Sequence, residues 1–493
     1  MIVFARSVVC VGLLTSAVMA VEVTSGGPAR PNVVIVMPDD VGYGDFGCHG
    51  NPVIKTPRID AFAKQSVRFT DFHVSPTCAP TRAALLTGRH EFKSGVTHTI
   101  FERERLSLNA VTLAQWLKSA GYTTGVFGKW HLGDEAAYRP EKRGFDEVFI
   151  HGGGGIGQTF PGSCGDAPGS MYSNPTILHN GTFEKTRGYC TDVFFNQALH
   201  WIKKVKNTST PFFAYITPNA AHAPLQCPEE YAGRHAGRVP EKAAKFYGMI
   251  ENIDDNFGRL TDALRDLGLE DNTLVVFLTD NGGTEGVSVF NAGMRGAKNT
   301  PYQGGTRVPS FWRWPAGFRG NAEVPALAAH VDVLPTLAEL AGLALDGRLR
   351  GQVEGRSLAP LLKDPAAAWP DRVLVTHLGR WPRGGAGQAK YAGCSVRNAR
   401  FTLVNNAELF DLKADPGETR DVSAAHPGEV AKLRAAYDAW WADVIPRLEN
   451  ETAVGPKINP FKARYWAQFG GGPDQETLRK MDPAGAGRTP GRD

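Results

Sequence analysis

Four short runs of the chain are apolar almost without interruption: residues 33–37 (VVIVM), 123–127 (TTGVF), 212–217 (FFAYIT) and 274–279 (LVVFLT). A strand with one wet face alternates apolar and polar residues, so unbroken runs predict strands buried on both faces. Each run ends in polar, small or breaker residues. Between them, residues 112–120, 192–205 and 241–267 carry apolar side chains at helical spacing; the last has Phe246, Met249, Ile250, Ile253 and Phe257 in register. This alternation predicts an α/β fold, a large mostly parallel sheet sandwiched by helices. In such sheets ligands bind beyond the carboxyl ends of the strands. That rule delivers four polar clusters to one rim: Asp39 with Asp40, Lys129 with His131, His222, and Asp280 with Asn281.

Beyond Pro315 the pattern changes. A helix is expected over residues 334–340, short strands over 373–376, 394–396 and 401–404, and an amphipathic helix over 429–441, which together predict a smaller C-terminal antiparallel sheet plus helix. The expected organisation is an export signal at 1–20, a catalytic domain at 21–365 and a C-terminal subdomain at 366–493. Residues after Pro446 are rich in Pro, Gly and charge and are expected to wrap the surface or fray. The glycine-rich residues 151–158 lack the strand-to-helix context of a dinucleotide loop and read as a substrate-side loop.

Composition narrows the function classes. With 493 residues and 42% apolar content the chain can bury a large core. Its 54 basic and 50 acidic residues are interspersed, with no cationic block to suggest a nucleic-acid partner. Arg6, the apolar residues 8–18 and the small residues Ala17 and Ala20 have the form of a cleavable export signal, too short for the roughly 20 residues that span a bilayer. A secreted or periplasmic protein without stable membrane insertion is expected. An oxidising compartment permits disulfides among Cys48, Cys78, Cys164, Cys190, Cys227 and Cys394, and a local Cys164–Cys190 bridge is the leading candidate.

The chemistry begins at Cys78-Ala79-Pro80-Thr81-Arg82, which precedes the helix-like residues 83–87. This puts a small nucleophile at a helix start, where anions are favoured, with a guanidinium one turn on. These residues alone leave Cys78 open between a buried thiol, a disulfide partner and a thiolate nucleophile. Asp39, Asp40, Asp280 and Asn281 offer only oxygen donors, which suits a hard cation such as calcium better than zinc. Taken singly, Asp-Asp and Asp-Asn pairs are also common in turns and helix caps.

The run C-x-P-x-R followed by A-A-L-L-T-G-R resembles the signature of the type I sulfatases, members of the alkaline phosphatase superfamily in which this cysteine is oxidised to formylglycine. Residues 32–47, 128–133, 279–283 and 295–309 resemble further motifs of that family, in family order. The resemblance implies one Ca2+ held by Asp39, Asp40, Asp280 and Asn281, with residue 78 as hydrated aldehyde completing the shell. It also implies that a hydrate hydroxyl, aided by Arg82, attacks sulfur, that His222 and Lys298 assist the leaving oxygen, and that His131 with Lys129 deprotonates the second hydroxyl. A formylglycine-generating enzyme is the implied maturation partner, and a sulfated carbohydrate or aryl sulfate the implied substrate. Two departures stand out: Gln303 replaces an expected glutamate, and no serine follows Gly144-Phe145, which leaves His151 as the candidate sulfate contact. Arg307 reads as structural, while Trp312, Trp314, Trp381, Tyr465 and Trp466 offer faces for stacking on sugars, although most such aromatics are core or packing elements. The rival readings are a phosphoester or phosphonate ester hydrolase of the same superfamily and an inactive sulfated-glycan binding protein. The lack of an obvious second set of metal-binding Asp and His favours the sulfatase.

Overall fold

The four apolar runs form neighbouring strands. A computed structural model describes residues 30–158, 165–208 and 210–472; the expected export signal and Cys164 lie outside them. The strands of the main sheet are β1 (Asn32–Val36), β2 (Val67–Phe69), β3 (Thr123–Lys129), β4 (Glu147–His151), β5 (Thr176–His179), β6 (Thr182–Lys185), β7 (Phe212–Thr217), β8 (Thr273–Leu278), β9 (Ser310–Arg313) and β10 (Ala322–Val324). Among the described residues they are ordered β10-β2-β9-β8-β1-β7-β3-β4-β5-β6. The central β8, β1, β7, β3 and β4 run parallel, while β9, β5 and β6 add antiparallel neighbours at the flanks.

Burial on both faces explains the unbroken apolar runs. In β1, Val33 and Ile35 face one core with Ala83, Leu86, Leu113 and Trp116. Val34 and Val36 face the other with Phe194, Ala198, Ile250 and Phe257. The first layer uses α1 (Cys78–Thr87) and α2 (Leu113–Ser119), the second α3 (Cys190–Val205) and α4 (Glu241–Asp266). A reciprocal capping box between Thr112 and Gln115 starts α2 where its sequence predicts. The flanking strands escaped the pattern because they are short and tolerate polar positions: β6 exposes Thr182, Glu184 and Lys185.

The C-terminal unit is an antiparallel sheet of β11 (Leu374–His377), β12 (Cys394–Arg397), β13 (Phe401–Val404) and β14 (Glu408–Asp411). Helix α5 (Pro427–Val444) covers it with Leu433, Tyr437 and Trp441. Of the two expectations for residues beyond Pro446, wrapping the surface or fraying, α6 (Pro460–Phe469) follows the first and is docked on the edge of the main sheet. Asn459 caps it, Phe461 is buried, and the Gln468 amide pairs with both backbone groups of Phe183 in the edge strand β6, at 2.7 and 2.8 Å. Docking satisfies an otherwise open edge. Of the proposed bridge, Cys190 is a buried free thiol in the first turn of α3, and its partner lies outside the described residues. No helix among the described residues is long and apolar enough to cross a membrane.

Candidate active site

The rim clusters meet beyond the carboxyl ends of β1, β3, β7 and β8. Asp40 and His131 adopt left-handed backbone, φ 61° and 60°, which turns each side chain back over the strand ends. Gly128, in β3, has φ 125°, and a Cβ there would lie 2.0 Å from the Thr217 carbonyl oxygen of β7. Only glycine lets these strands close behind the site.

Cys78 is the first residue of α1, with its Sγ 3.8 Å from Asp40 Oδ1. One turn on, Arg82 Nε and Nη2 donate to Asp280 Oδ2 at 3.2 and 2.7 Å, and Nη1 donates to the Lys129 carbonyl at 2.9 Å. Lys129 Nζ pairs with Asp39 Oδ2, and Lys298 Nζ lies 2.6 Å from Asp40 Oδ1. His222 Nε2 lies 3.7 Å from Asp40, while Nδ1 donates to the Ala223 carbonyl at 2.6 Å. The cations are therefore held by carboxylates before any substrate arrives.

The donor set fits a hard cation. One ligating atom from each of Asp39, Asp40, Cys78 and Asp280 falls within 4.8 Å of the others. Asn281 Nδ2 donates to Asp40 Oδ1 at 3.0 Å and to the Gly282 carbonyl, so its Oδ1 is the acceptor left over. That atom and Asp39 Oδ1 are buried without a hydrogen-bond partner. Orphaned buried oxygens are costly, and a divalent cation would satisfy both. Burial and the charge of Asp39 push the Asp280 carboxyl up to about 7 despite Arg82 and Lys129. Burial raises Asp39 as well, but Lys129, His222, Arg82 and Lys298 together hold it well below the usual carboxylate range. Among the described residues, every group of three or more candidate ligands contains Asp39 and Cys78.

His131 is buried, and its Nε2 donates to the Thr99 carbonyl at 2.8 Å, which leaves the lone pair on Nδ1. Burial, then Lys129, holds its pKa well below the ordinary value, so it is neutral. His151 ends β4 in register with Lys129 and is fully buried, with neither ring nitrogen hydrogen-bonded among the described residues. Gln303, where the resemblance implies a glutamate, is a donor: its Nε2 donates to the Pro416 carbonyl at 2.8 Å. Arg307 stacks 4.3 Å over Tyr43 and donates to Thr70. Trp312, Trp314 and Trp381 are buried packing residues, the more ordinary of their two readings, and offer no sugar platform. Two other residues lie by the site: Thr99, whose carbonyl accepts from His131, and Arg380, near enough for the charge of Asp40 to act on it. No local motif marks either.

The model of the sulfatase family matches residues 31–343, well over half the chain. The chain belongs to the sulfatase family. A second model, N-sulphoglucosamine sulphohydrolase, C-terminal, matches residues 297–435 of this sulfatase. Human arylsulfatase A is 32% identical over 82% of the chain and 86% of its own length. Human N-acetylgalactosamine-6-sulfatase is 29% identical over 88% and 89%. The crystal structure of Ps i-CgsB in complex with k-i-k-neocarrahexaose aligns at TM-score 0.74 and 27% identity, over 89% of this chain and 97% of that one. The phosphonate monoester hydrolase of Agrobacterium radiobacter shares the fold, at TM-score 0.57, 20% identity and coverage of 85% and 96%. The sulfatase is thus an enzyme whose chemistry is sulfate ester hydrolysis.

Proposed function

We propose that this sulfatase desulfates a sulfated carbohydrate outside the cytoplasm, using Cys78 matured to formylglycine and one Ca2+. The observation that carries the reading is the place of Cys78: at the start of α1, among the oxygen donors, one turn from an arginine locked on Asp280. The formylglycine hydrate would supply the nucleophile, and Ca2+, held by Asp39, Asp40, Asp280 and Asn281, would supply neutralising charge. Three aspartates, the cation, Arg82, Lys129 and Lys298 leave the pocket net positive, as a sulfate ester requires.

Sulfate ester cleavage builds charge on the sulfuryl oxygens and on the leaving oxygen. Arg82 and Lys129, fixed by Asp280 and Asp39, face that charge without reorganising. Lys298 keeps its proton, since Asp40 outweighs burial, and serves the leaving oxygen as a fixed cation. His222 Nδ1 is committed to a carbonyl, so Nε2 is the atom that exchanges a proton there. His131, with its lone pair on Nδ1, is suited to remove a proton from residue 78, and His151 is the side chain beside Lys129 that would contact sulfate. Support for a sugar substrate comes from relatives, an N-acetylgalactosamine-6-sulfatase and a structure holding a neocarrahexaose.

Mass spectrometry of the peptide carrying residue 78, beside an assay with aryl sulfate and aryl phosphate, tests the reading. Aldehyde at residue 78 and preference for the sulfate are expected. Persistent thiol in fully active enzyme, or preference for phosphate, would refute it.

A further inference from the structure

The C-terminal unit reaches the pocket through one turn. Residues 378–381, after β11, press on the loop 97–103: a Cβ on Gly379 would lie 1.6 Å from the Thr97 carbonyl oxygen. Buried Arg103 braces the turn, with Nη1 donating to the Trp381 carbonyl at 2.7 Å, Nη2 to Gly379 O, and Nε to Thr97 Oγ1 at 2.9 Å. Its guanidinium also lies 4.9 Å over the Trp381 ring, whose Nε1 donates to Glu451 at 2.6 Å. The same loop carries Thr99, which holds His131. The turn is therefore rigid relative to the catalytic groups.

Arg380 stands between these two anchored residues and is exposed. Arg82, Lys129 and Lys298 each have a carboxylate partner. Arg380 has none among the described residues, and the carboxylate whose charge reaches it is Asp40, at the centre of the site. An unpaired guanidinium on a braced rim is a preorganised fork for carboxylate or sulfate oxygens.

Resting on the sulfatase reading above, we propose that Arg380 is a specificity residue that binds a second anionic group of the substrate, a neighbouring sulfate or a uronate carboxylate, while the scissile sulfate occupies the Cys78 pocket. The favoured substrate class is a polyanionic sugar rather than a simple aryl sulfate.

The test compares matured wild-type enzyme with Arg380→Ala and Arg380→Lys. The substrates are 4-nitrophenyl sulfate, a monosulfated neutral disaccharide, its uronate-bearing counterpart and a disulfated disaccharide. In Arg380→Ala the ratio of kcat/KM for doubly to singly anionic sugars should fall about 10-fold or more, mainly through KM, with partial recovery in Arg380→Lys. The arm that loses more, uronate or second sulfate, identifies the group bound. A parallel fall on every substrate, leaving the ratio unchanged, would overturn the assignment. In a Cys78→Ala background, equilibrium binding of the disulfated disaccharide should weaken by a similar factor when Arg380→Ala is added; unchanged binding would also overturn it. Failure of the matured wild type to hydrolyse any of the sulfates, with binding still dependent on Arg380, would sink the sulfatase turnover reading and leave the anion subsite standing.

Discussion

The thiol of Cys78 is fully buried, and burial pushes its pKa up, with Asp39 adding to the effect. An unmodified thiol so buried is a poor nucleophile, which agrees with the proposed maturation of residue 78. Cys78→Ala should abolish turnover while leaving far-UV circular dichroism and the unfolding midpoint near wild type; retained activity would end the nucleophile assignment. The orphaned oxygens of Asp39 and Asn281 carry a second expectation. Exhaustive chelation should remove activity and lower the melting temperature, and added Ca2+ should restore both. A stripped enzyme with unchanged melting and rate would assign the cluster another role. At this scale the sequence was informative wherever a residue belongs to a motif: Asp39, Asp40, Cys78, Arg82, Lys129, His131, His222, Asp280, Asn281 and Lys298 all converge. Arg380 and Thr99 were illegible because their importance comes only from what folds against them.

Elements are tied to the site by buried polar groups that work like rivets. Asp134 Oδ2 accepts from Gly165 N at 2.7 Å and from Asn459 Nδ2 at 3.0 Å, joining the residues behind the glycine-rich turn to the cap of α6. Burial pushes its carboxyl up to about 7, against the pull of Asn459. A raised folded-state pKa means the native protein binds the extra proton. The resulting stability is fully present below the unfolded value of 3.8 and is lost as pH rises through about 7. Asp134→Asn, which keeps an acceptor and cannot ionise, should flatten the fall of melting temperature with pH across that window; identical slopes in variant and wild type would contradict it. Gln303 offers another rivet. In Gln303→Glu the donor to Pro416 is lost and a carboxylate is set against a carbonyl. A destabilisation of about 1–3 kcal/mol in urea unfolding is expected, and an unchanged midpoint would show that the linkage contributes nothing.

Across the whole molecule, the C-terminal chain packs back on the layers of the main sheet at several points, β12 and α6 among them. Arg397 of β12 is buried with Nη1 2.7 Å from His73 Nε2, and α6 closes the edge at β6. Ending the chain at residue 456 should lower the melting temperature, since burying Phe461 alone contributes about 1.5–3 kcal/mol. Equal melting of the shortened and full chains would show α6 to be passive. Four of the five parallel central strands, the two helical layers and the rim that gathers the acids and bases were readable from sequence alone, because burial on both faces forces continuous apolar runs and the topology rule places the rim; β4, whose last residue His151 falls in the expected loop, was not among the runs that stand out. The docked tail and the short flanking strands were not, because their apolar content is too small to produce a period and their stability comes from partners distant in the chain. Motif and periodicity determined which residues would meet; only tertiary packing decided the brace behind His131, the carbonyl that the Gln303 amide meets, and the place of Arg380 on the turn after β11, since each depends on a neighbour that local sequence does not encode.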